Sequence, residues 1–211
     1  MLDVKNVHYS YTATDNPEFT FNVTAKDEEI LVVEGVSGVG KSTLLHLIAG
    51  LLEPHHGQII WKGQSLNGMR PDHRPLSMIF QSGNLFDHLT CRQNVAIGLN
   101  SSLNLNDIEW RAVDAALDTL GIAALSDKRP DQTSGGQQQR MALARSLVRA
   151  ECQGRDLLLL DEPFSALDPA TRQDCVDAVL SLMAKRPMTA VIVSHDPHDA
   201  AALGARRLTL S

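Results

Sequence analysis

The stretch EGVSGVGKST, residues Glu34–Thr43, decides the fold of this 211-residue chain. It follows the continuous apolar run Ile30–Val33, which predicts a strand buried on both faces. It precedes apolar residues at helical spacing in Leu44–Leu51. Between Gly35 and Ser42 the residues fit the pattern G-x-x-x-x-G-K-[ST]. Because glycines allow a tight turn, backbone N–H groups and the helix N-terminus face phosphate oxygens. The stretch therefore predicts a phosphate-binding loop.

Two side chains of this loop have separate expected roles. Lys41 can reach the β- and γ-phosphates of a bound nucleotide, and the Ser42 hydroxyl can ligate Mg²⁺. The alternative is an ordinary glycine turn between a strand and a helix. The complete motif, in the context that it requires, disfavours that alternative.

A second informative stretch is LLLLDEPFSALD, residues 157–168. Four leucines predict a buried strand, and Asp161 and Glu162 follow them directly. A carboxylate at Asp161 can hold Mg²⁺, as the second metal-binding acid of nucleoside triphosphatases does. Glu162 is placed to orient or deprotonate an attacking water. A helix cap or a solvated turn is the alternative for an acidic pair, and the glycine loop upstream disfavours it.

Four signals fall just past the carboxyl ends of predicted buried strands. They are Gly35, Gln81, the pair Asp161 and Glu162, and His195. In open parallel α/β sheets this edge binds ligands, so the sequence predicts one site there. Gln81 is a candidate for Mg²⁺ ligation or γ-phosphate sensing, although its spacing alone favours a polar loop residue. His195 is distinguished from an ordinary structural histidine only by its position.

The segment Ser134-Gly-Gly-Gln137 predicts the start of a helix. Ser134 is a favourable N-cap, and Gln137 three residues later completes a capping box. The serine, the two glycines and the helix dipole together form a second candidate anion site. Since the chain has one phosphate loop, a second phosphate site suggests that two chains share each nucleotide. The alternative is a plain capped helix without a ligand.

Composition limits the class of partner. The formal net charge is -6, whereas proteins that bind nucleic acid usually have a basic face. Adhesion to anionic lipid also needs basic residues. The cysteines Cys91, Cys152 and Cys175 are scattered, which is typical of thiols in a reducing cytosol. No targeting signal and no membrane-spanning run is predicted, so another chain would have to hold the protein at a membrane.

The remaining pattern predicts an α/β fold with three parts. Rough alternation in Leu2–Tyr11 and clear alternation in Phe19–Ala25 predict antiparallel strands near the N-terminus. A turn is predicted at Glu53–Gly57, and mostly helical structure from Leu85 to Ala150. Further predicted elements are strands at Gln58–Lys62, Leu76–Phe80, Ala190–Val193 and Leu208–Leu210, and a helix at Asp174–Ala184. We expect one domain, 1–211, with a helical subdomain inserted at about 85–150.

These residues resemble the nucleotide-binding subunit of an ABC transporter over nearly the whole chain. The matching motifs are the P-loop Gly35–Thr43, the Q-loop Gln81, the signature Ser134–Gln137, the Walker B segment Leu157–Glu162, the D-loop Ser165–Asp168 and the switch His195. The resemblance implies a P-loop NTPase with a RecA-like, mostly parallel sheet, an N-terminal antiparallel β subdomain and an inserted helical subdomain. It implies ATP hydrolysis with ATP and Mg²⁺ as cofactors.

The resemblance also implies individual roles. Glu162 would be the catalytic carboxylate, His195 would contact the γ-phosphate, and Gln81 would act with them. The signature would close over ATP that is bound by the other chain of a head-to-tail homodimer. Tyr11 would stack on adenine. The implied nucleotide contacts are Tyr11, Gly35, Ser37, Gly38, Gly40, Lys41, Ser42, Thr43, Ser134, Gly135, Gly136, Gln137 and Asp168, and the implied metal ligands are Ser42, Gln81 and Asp161.

Within the family, the segment Glu162–Pro169 is more similar to importers than to lipid or lipoprotein exporters. Arg74–Asn100 resembles the ATPase of bacterial thiamine importers, although iron(III), molybdate and polyamine importers have similar sequences in this segment. The implied partners are an integral membrane permease and, indirectly, a periplasmic solute-binding protein, with no nucleic acid. The implied location is peripheral, on the cytoplasmic face of the bacterial inner membrane. The family's permease groove would include Gln81, Leu85, Phe86 and Leu89, with core packing as the alternative for the apolar members.

Other readings remain open at this point. An export or lipoprotein-release ATPase is one, and a soluble ABC ATPase of DNA repair or translation is another. A cassette that binds ATP without hydrolysing it is disfavoured by the intact Lys41, Asp161, Glu162 and His195. The chain departs from the family pattern at Asp27, Thr133 and Gln138, and we expect no C-terminal regulatory domain.

Overall fold

The computed structural model describes residues 1–12, 18–80 and 85–211. The strands are β1 Leu2–Tyr9, β2 Phe19–Ala25, β3 Ile30–Glu34, β4 His56–Trp61, β5 Gln64–Ser65, β6 Leu76–Ile79, β7 Leu157–Asp161, β8 Thr189–Val193 and β9 Arg206–Thr209. The α-helices are α1 Lys41–Ala49, α2 Cys91–Ala96, α3 Asp107–Thr119, α4 Gly135–Cys152, α5 Pro169–Lys185 and α6 Pro197–Ala202. Short 3₁₀ turns lie at Pro71–His73, Ala123–Leu125 and Pro130–Gln132.

A five-stranded parallel sheet forms the centre of the molecule, in the order β6-β7-β8-β3-β9. Every residue of β7 and β8 is buried, as expected for apolar strands that are covered on both faces. Asp161 at the end of β7 pairs with Val193, and Val193 pairs with Val33 of β3. The carboxyl ends of β3, β7 and β8 therefore lie side by side.

A second, antiparallel sheet has the order β2-β1-β4-β5. The predicted alternation in β2 is confirmed, since Phe21, Val23 and Ala25 are buried while Thr20 and Asn22 are exposed. The predicted turn Glu53–Gly57 extends too far, because β4 begins at His56, which pairs with His8.

The central sheet separates two hydrophobic cores. Leu157 and Leu159 of β7 pack with α1 and the antiparallel sheet, whereas Leu158 and Leu160 pack with the helices of the other face. The region predicted to be helical contains α2, α3 and nearly all of α4. Val113 and Leu117 of α3 are buried against α4, as their spacing predicts. Helix α1, which follows the phosphate loop, packs in the first of these cores, between the two sheets.

Helix α5 and strand β9 begin earlier than the sequence predicts. Helix α5 begins at Pro169 rather than at Asp174, because Asp168 caps it through a bond from the Thr171 N–H at 3.1 Å, and proline suits the first helical position. Strand β9 begins at Arg206 and not at Leu208, because Arg206 and Arg207 pair with β3. None of the helices in the described ranges has both the length and the apolar character that a membrane crossing needs.

Candidate active site

The predicted phosphate loop lies between β3 and α1. Gly40 of this loop is the N-cap of α1, with a left-handed φ of 96°, and no side chain caps this helix. The first N–H groups of a helix have no partner within it. The loop residues Val36, Ser37 and Gly38 are exposed. Backbone donors at this N-terminus are thus available to an anion.

Two glycines of the loop are required by close packing. A Cβ atom at Gly40 would lie 2.6 Å from Cδ1 of Phe19, whose ring is parallel to that of Phe21. A Cβ atom at Gly35 would lie 2.8 Å from the carbonyl oxygen of Leu210. The loop is therefore supported by β2 on one side and by the segment after β9 on the other.

The Lys41 side chain folds back over the loop. Its Nζ donates to the carbonyl oxygens of Gly35 at 2.8 Å and Val36 at 3.0 Å. The loop thus has a cation beside its free N–H groups. This combination of donors matches the chemistry of a polyphosphate.

Asp161 occupies the buried end of β7, next to the loop. Asp161 is only 2% exposed, and its Oδ1 atom is buried without a hydrogen-bond partner. Burial raises the pKa of the carboxyl group, although the nearby Ser42 hydroxyl and the charges of His46 and Lys41 lower the pKa in part. An orphaned carboxylate oxygen beside a serine hydroxyl fits a hard cation such as Mg²⁺, which prefers oxygen ligands.

The protein supplies only part of such a coordination shell. Within residues 1–12, 18–80 and 85–211, no three His, Cys, Asp or Glu side chains are grouped as metal ligands. Mg²⁺ usually keeps several waters and shares phosphate oxygens of the substrate, with one or two carboxylates from the protein. Ser42 and Asp161 fit that pattern.

Glu162 and His195 come together above the sheet edge. His195 Nδ1 lies 3.1 Å from Glu162 Oε2. The Glu162 side chain is 17% exposed, while that of His195 is 61% exposed. The Glu162 N–H donates to the carbonyl of Val193 at 2.9 Å. Glu162 thus presents a carboxylate, a proton acceptor, at the carboxyl edge of the sheet, directly after Asp161.

A polar network holds the segment that carries His195. The Ser194 hydroxyl donates to Oδ2 of Asp199 at 2.6 Å, and Arg172 of α5 pairs with Asp196. Burial raises the pKa of the Asp199 carboxyl. Hydrogen bonds from His198 and Arg172 lower the pKa of Asp196 well below its usual range. The sequence reading missed Arg172 and Asp199, because ion pairs between α5 and α6 leave no local pattern.

The signature segment forms the predicted capping box. The Ser134 hydroxyl accepts from the Gln137 N–H at 3.3 Å, and the Ser134 N–H donates to Oε1 of Gln137 at 2.9 Å. Within the described residues, no hydrogen bond or ion pair of this segment reaches Glu34–Thr43. The fold therefore brings the phosphate loop, Asp161, Glu162 and His195 together, and leaves the signature segment outside their contacts.

Three other predicted site residues have different outcomes. The Tyr11 hydroxyl lies 3.1 Å from Oγ1 of Thr43, and Tyr11 is 57% exposed beside the phosphate loop. The Asp168 side chain caps α5. Gln81 lies outside the described residues. A further residue, Gln139, contacts the backbone of Glu162, and nothing in the run of three glutamines distinguishes it in the sequence.

Residues 19–165 match the model of the ABC transporter family. The chain belongs to the ABC transporter family. The predicted fold class, a P-loop NTPase with a mostly parallel core, an antiparallel β subdomain and inserted helices, is confirmed. The protein is an ABC-type ATPase that binds nucleotide.

Relatives with known names cover most of the chain. The thiamine import ATP-binding protein of Vibrio cholerae is 44% identical over 211 residues, which is 100% of this chain and 86% of the relative. Its counterpart in Escherichia coli K12 is 44% identical over 191 residues, which is 90% of this chain and 81% of the relative. The resemblance to thiamine-importer ATPases is confirmed as a similarity.

A solved structure is similar over the whole chain. It is an ATP-binding cassette, a dimer in a post-hydrolysis state bound to ADP and Pi, at 28% identity with a TM-score of 0.87. The superposition covers 100% of this chain and 94% of that chain. The sheet order and the position of the phosphate loop are thus those of a nucleotide-binding cassette.

Proposed function

We propose that this chain is the ATP-hydrolysing subunit of an importer that takes up thiamine through a separate membrane permease. The observation that carries the proposal is the 44% identity to a thiamine import ATP-binding protein across all 211 residues. The site geometry supports ATP hydrolysis, and the similarity to the relatives supports thiamine as the transported solute.

In this proposal the phosphate loop binds the triphosphate of ATP and Mg²⁺ is held by Ser42 and Asp161. The remaining loop contacts come from Gly35, Ser37, Gly38, Gly40, Lys41 and Thr43. Mg²⁺, when bound, neutralises phosphate charge. The orphaned Oδ1 of Asp161 supports this assignment, because an unpartnered buried carboxylate oxygen is costly without a cation.

Glu162 is the proposed base that accepts a proton from the attacking water. His195 holds the Glu162 carboxylate through Nδ1 and reaches toward the γ-phosphate with the rest of its ring. The 3.1 Å contact between the two side chains supports a shared role. Tyr11 is proposed to stack on adenine, and Gln81 to join the metal shell. The proximity of Tyr11 to Thr43 supports the first of these assignments.

Two chains are proposed to share each nucleotide in a head-to-tail homodimer. Ser134, Gly135, Gly136 and Gln137 of one chain, with the Asp168 region, would close over ATP in the other. The separation of the signature from the phosphate loop within one chain supports this arrangement. The similar dimer that holds ADP and Pi supports it as well.

A groove beside the helical region is the proposed permease dock. It encloses about 400 Å³ and is lined by apolar side chains that include Met78, Phe86, Leu89 and Leu103. Phe86 is 47% exposed, whereas Leu85 packs against the core. Core packing thus accounts for Leu85 and not for Phe86. Docking on a permease would place the protein peripherally on the cytoplasmic face of the bacterial membrane, with a periplasmic binding protein supplying the solute.

Uptake of labelled thiamine in a strain deleted for this gene tests the proposal. The unaltered chain should restore uptake, and Phe86→Asp should abolish uptake and permease co-purification while basal ATPase activity stays. Ile108→Asp is the matched control, because Ile108 is 71% exposed on α3 and lies outside the groove. Uptake that Phe86→Asp still restores would refute the dock. Restored uptake of a different solute, with thiamine unaffected, would refute the substrate alone.

A further inference from the structure

Gln139 lies on the second turn of α4, the helix whose N-terminus is the signature segment. Its side-chain amide bonds both ends of the turn that follows β7. Nε2 donates to the Glu162 carbonyl at 2.7 Å, and Oε1 accepts from the Ala166 N–H at 2.9 Å. Nε2 also lies 3.3 Å from Oγ of Ser165. One side chain therefore bridges the two ends of the turn 162–166 and joins the turn to α4.

This turn contains an unfavourable backbone conformation. Glu162 has a φ of 48°, in the left-handed region that residues with a Cβ atom rarely adopt. Such a conformation persists only where the surroundings hold it in place. Hydrogen bonds on both sides of the residue do so here. The Glu162 N–H donates to Val193. The Glu162 carbonyl accepts from Nε2 of Gln139 at 2.7 Å, from the Ser165 hydroxyl at 3.1 Å and from the Ser165 N–H at 3.4 Å, so Gln139 provides the shortest of three bonds and the one that comes from outside the turn. Together they fix the peptide groups on both sides of the Glu162 Cα atom.

The direction of the Glu162 side chain follows from that backbone. A left-handed residue projects its side chain differently from an extended one, and here the carboxylate reaches Nδ1 of His195. Without the Gln139 bonds, only Ser165, which belongs to the turn itself, would still donate to the Glu162 carbonyl. The turn could then shift as a unit relative to α4, and the carboxylate would move away from His195. A displacement of about 1 Å at a catalytic group can lower a rate by about 100-fold.

We propose that Gln139 is a positioning residue for Glu162. It holds the turn in the conformation that directs the Glu162 carboxylate at the reacting water and at His195. The inference rests on the proposed role of Glu162 as the base. It also links two functional segments of one chain, because α4 carries the signature at its N-terminus and Gln139 one turn later.

Close packing at the same place supports the link. A Cβ atom at Gly136 would lie 3.0 Å from the Ala166 carbonyl oxygen, so the first turn of α4 already contacts the turn that Gln139 holds. Any shift of α4 that accompanies closure over a nucleotide would move the Glu162 backbone directly. A residue that only stabilised the fold would not act through Glu162, and this difference can be measured.

The test is steady-state ATP hydrolysis by the full chain with Mg²⁺ and ATP. Gln139→Met keeps the length of the side chain and removes its hydrogen bonds. Gln153→Met is the matched control, because Gln153 also donates from its amide to a backbone carbonyl, that of Leu99 at 2.9 Å, at the far end of α4. We expect Gln139→Met to lower kcat by about 10- to 100-fold with KM for ATP unchanged within about twofold. Gln153→Met should change neither parameter.

A double variant separates positioning from simple stabilisation. If Gln139 acts through Glu162, adding Gln139→Met to Glu162→Gln should not lower the residual rate further, because the two act as a unit. If the loss in the double variant equals the product of the two single losses, the inference is overturned. A Gln139→Met rate equal to that of Gln153→Met would overturn it as well. If Gln139→Met does not fold, Gln139→Glu, which keeps the acceptor oxygen and removes the donor, carries the same measurement.

The same data distinguish failure of this inference from failure of the proposed function. Full activity of Glu162→Gln would remove Glu162 from the chemistry, and the inference would fall with it. An inactive Glu162→Gln beside a fully active Gln139→Met would leave the proposed function intact and refute only the role of Gln139.

Discussion

The N-termini of α1 and α4 are both glycine-containing candidate anion sites, yet the two helices are capped differently. Helix α1 has Gly40 at its N-cap and no side chain that caps it. Helix α4 is closed by its own capping box, Ser134 with Gln137. The first has backbone donors without a side-chain cap, beside Lys41 and Ser42 of its own chain. The second is capped by its own side chains, and its cap residue Ser134 is exposed. The contrast fits a phosphate site that one chain completes with part of another.

Helix α3 shows that the capping box itself is not what makes α4 unusual. Asn106 and Glu109 form the same kind of box there. The first turn of α3 also carries Asp107 and Glu109, which repel an anion, while the first turns of α1 and α4 carry no acidic residue. Helix α4 therefore combines a capping box with a first turn that has no acidic residue, a combination that the six-residue helix α2 shares.

The largest expected effect lies in the chemistry that both helices serve. Glu162→Gln should keep ATP binding and lower turnover by about 1,000-fold or more, because the amide keeps the shape and loses the basic carboxylate. Phosphate release and nucleotide binding, measured on the same preparation, check this. Hydrolysis close to the unaltered rate would exclude Glu162 as the base.

The next effect separates the two helices directly. Lys41→Ala should weaken ATP binding to the isolated chain by about 10- to 100-fold, since charge-assisted phosphate contacts are lost. Ser134→Ala should leave that affinity unchanged, because α4 would meet only the nucleotide of a partner. Titration calorimetry under monomeric conditions measures both. Equal losses of ATP affinity in Lys41→Ala and Ser134→Ala would contradict the difference between α1 and α4.

A smaller effect concerns the cap of α4 as a cap. Ser134→Ala should lower the free energy of unfolding by about 1 kcal/mol, the usual contribution of an N-cap hydroxyl. Asn106→Ala on α3 is the matched variant and should cost about the same. Urea unfolding without nucleotide checks both. No loss in Ser134→Ala alone would mean that the α4 box contributes nothing to the fold.

The smallest effect comes from α6, whose cap is charged. Hydrogen bonds from the His198 N–H and from Arg172 lower the pKa of Asp196 in the folded state. The folded state therefore holds this proton more weakly, so the stabilisation is present above the unfolded pKa, about 4, and is lost as pH falls. Asp196→Asn should destabilise the protein more at pH 7 than at pH 3, in urea unfolding at both values. The neutral cap change Ser134→Ala should cost the same at both, and an equal loss for Asp196→Asn would contradict this reading.

The part of the site that the sequence predicts is the part made by local motifs. The phosphate loop, the acidic pair after β7 and the capping box each lie within about ten residues, so their spacing encodes their geometry. The start of α5 is also encoded locally, by Asp168 as the cap and Pro169 at the first helical position. The same two residues belong to the segment that resembles the family's D-loop, and that resemblance gives no sign of the cap. Gln139 depends on which side of α4 faces the turn after β7. The direction of that face is set by tertiary packing, and the three adjacent glutamines in the sequence do not indicate it.

Exposure shows the same division. Leu85 and Phe86 are equivalent in the sequence, two apolar residues in a polar loop. In the fold Leu85 is partly buried and packs against the core, while Phe86 is exposed at a groove. The direction of two neighbouring side chains depends on tertiary packing, so the sequence alone does not separate Leu85 from Phe86 as the docking residue.

The most direct test of a nucleotide shared between α1 of one chain and α4 of another is ATP-dependent dimerisation, followed by light scattering. In the Glu162→Gln background, added ATP should convert the chain to a dimer. Adding Ser134→Arg should keep it monomeric, and adding Asn106→Arg, the same change at the equivalent cap of α3, should leave dimerisation intact. Dimers of equal abundance with Ser134→Arg would contradict the shared site and leave the signature segment as a capped helix.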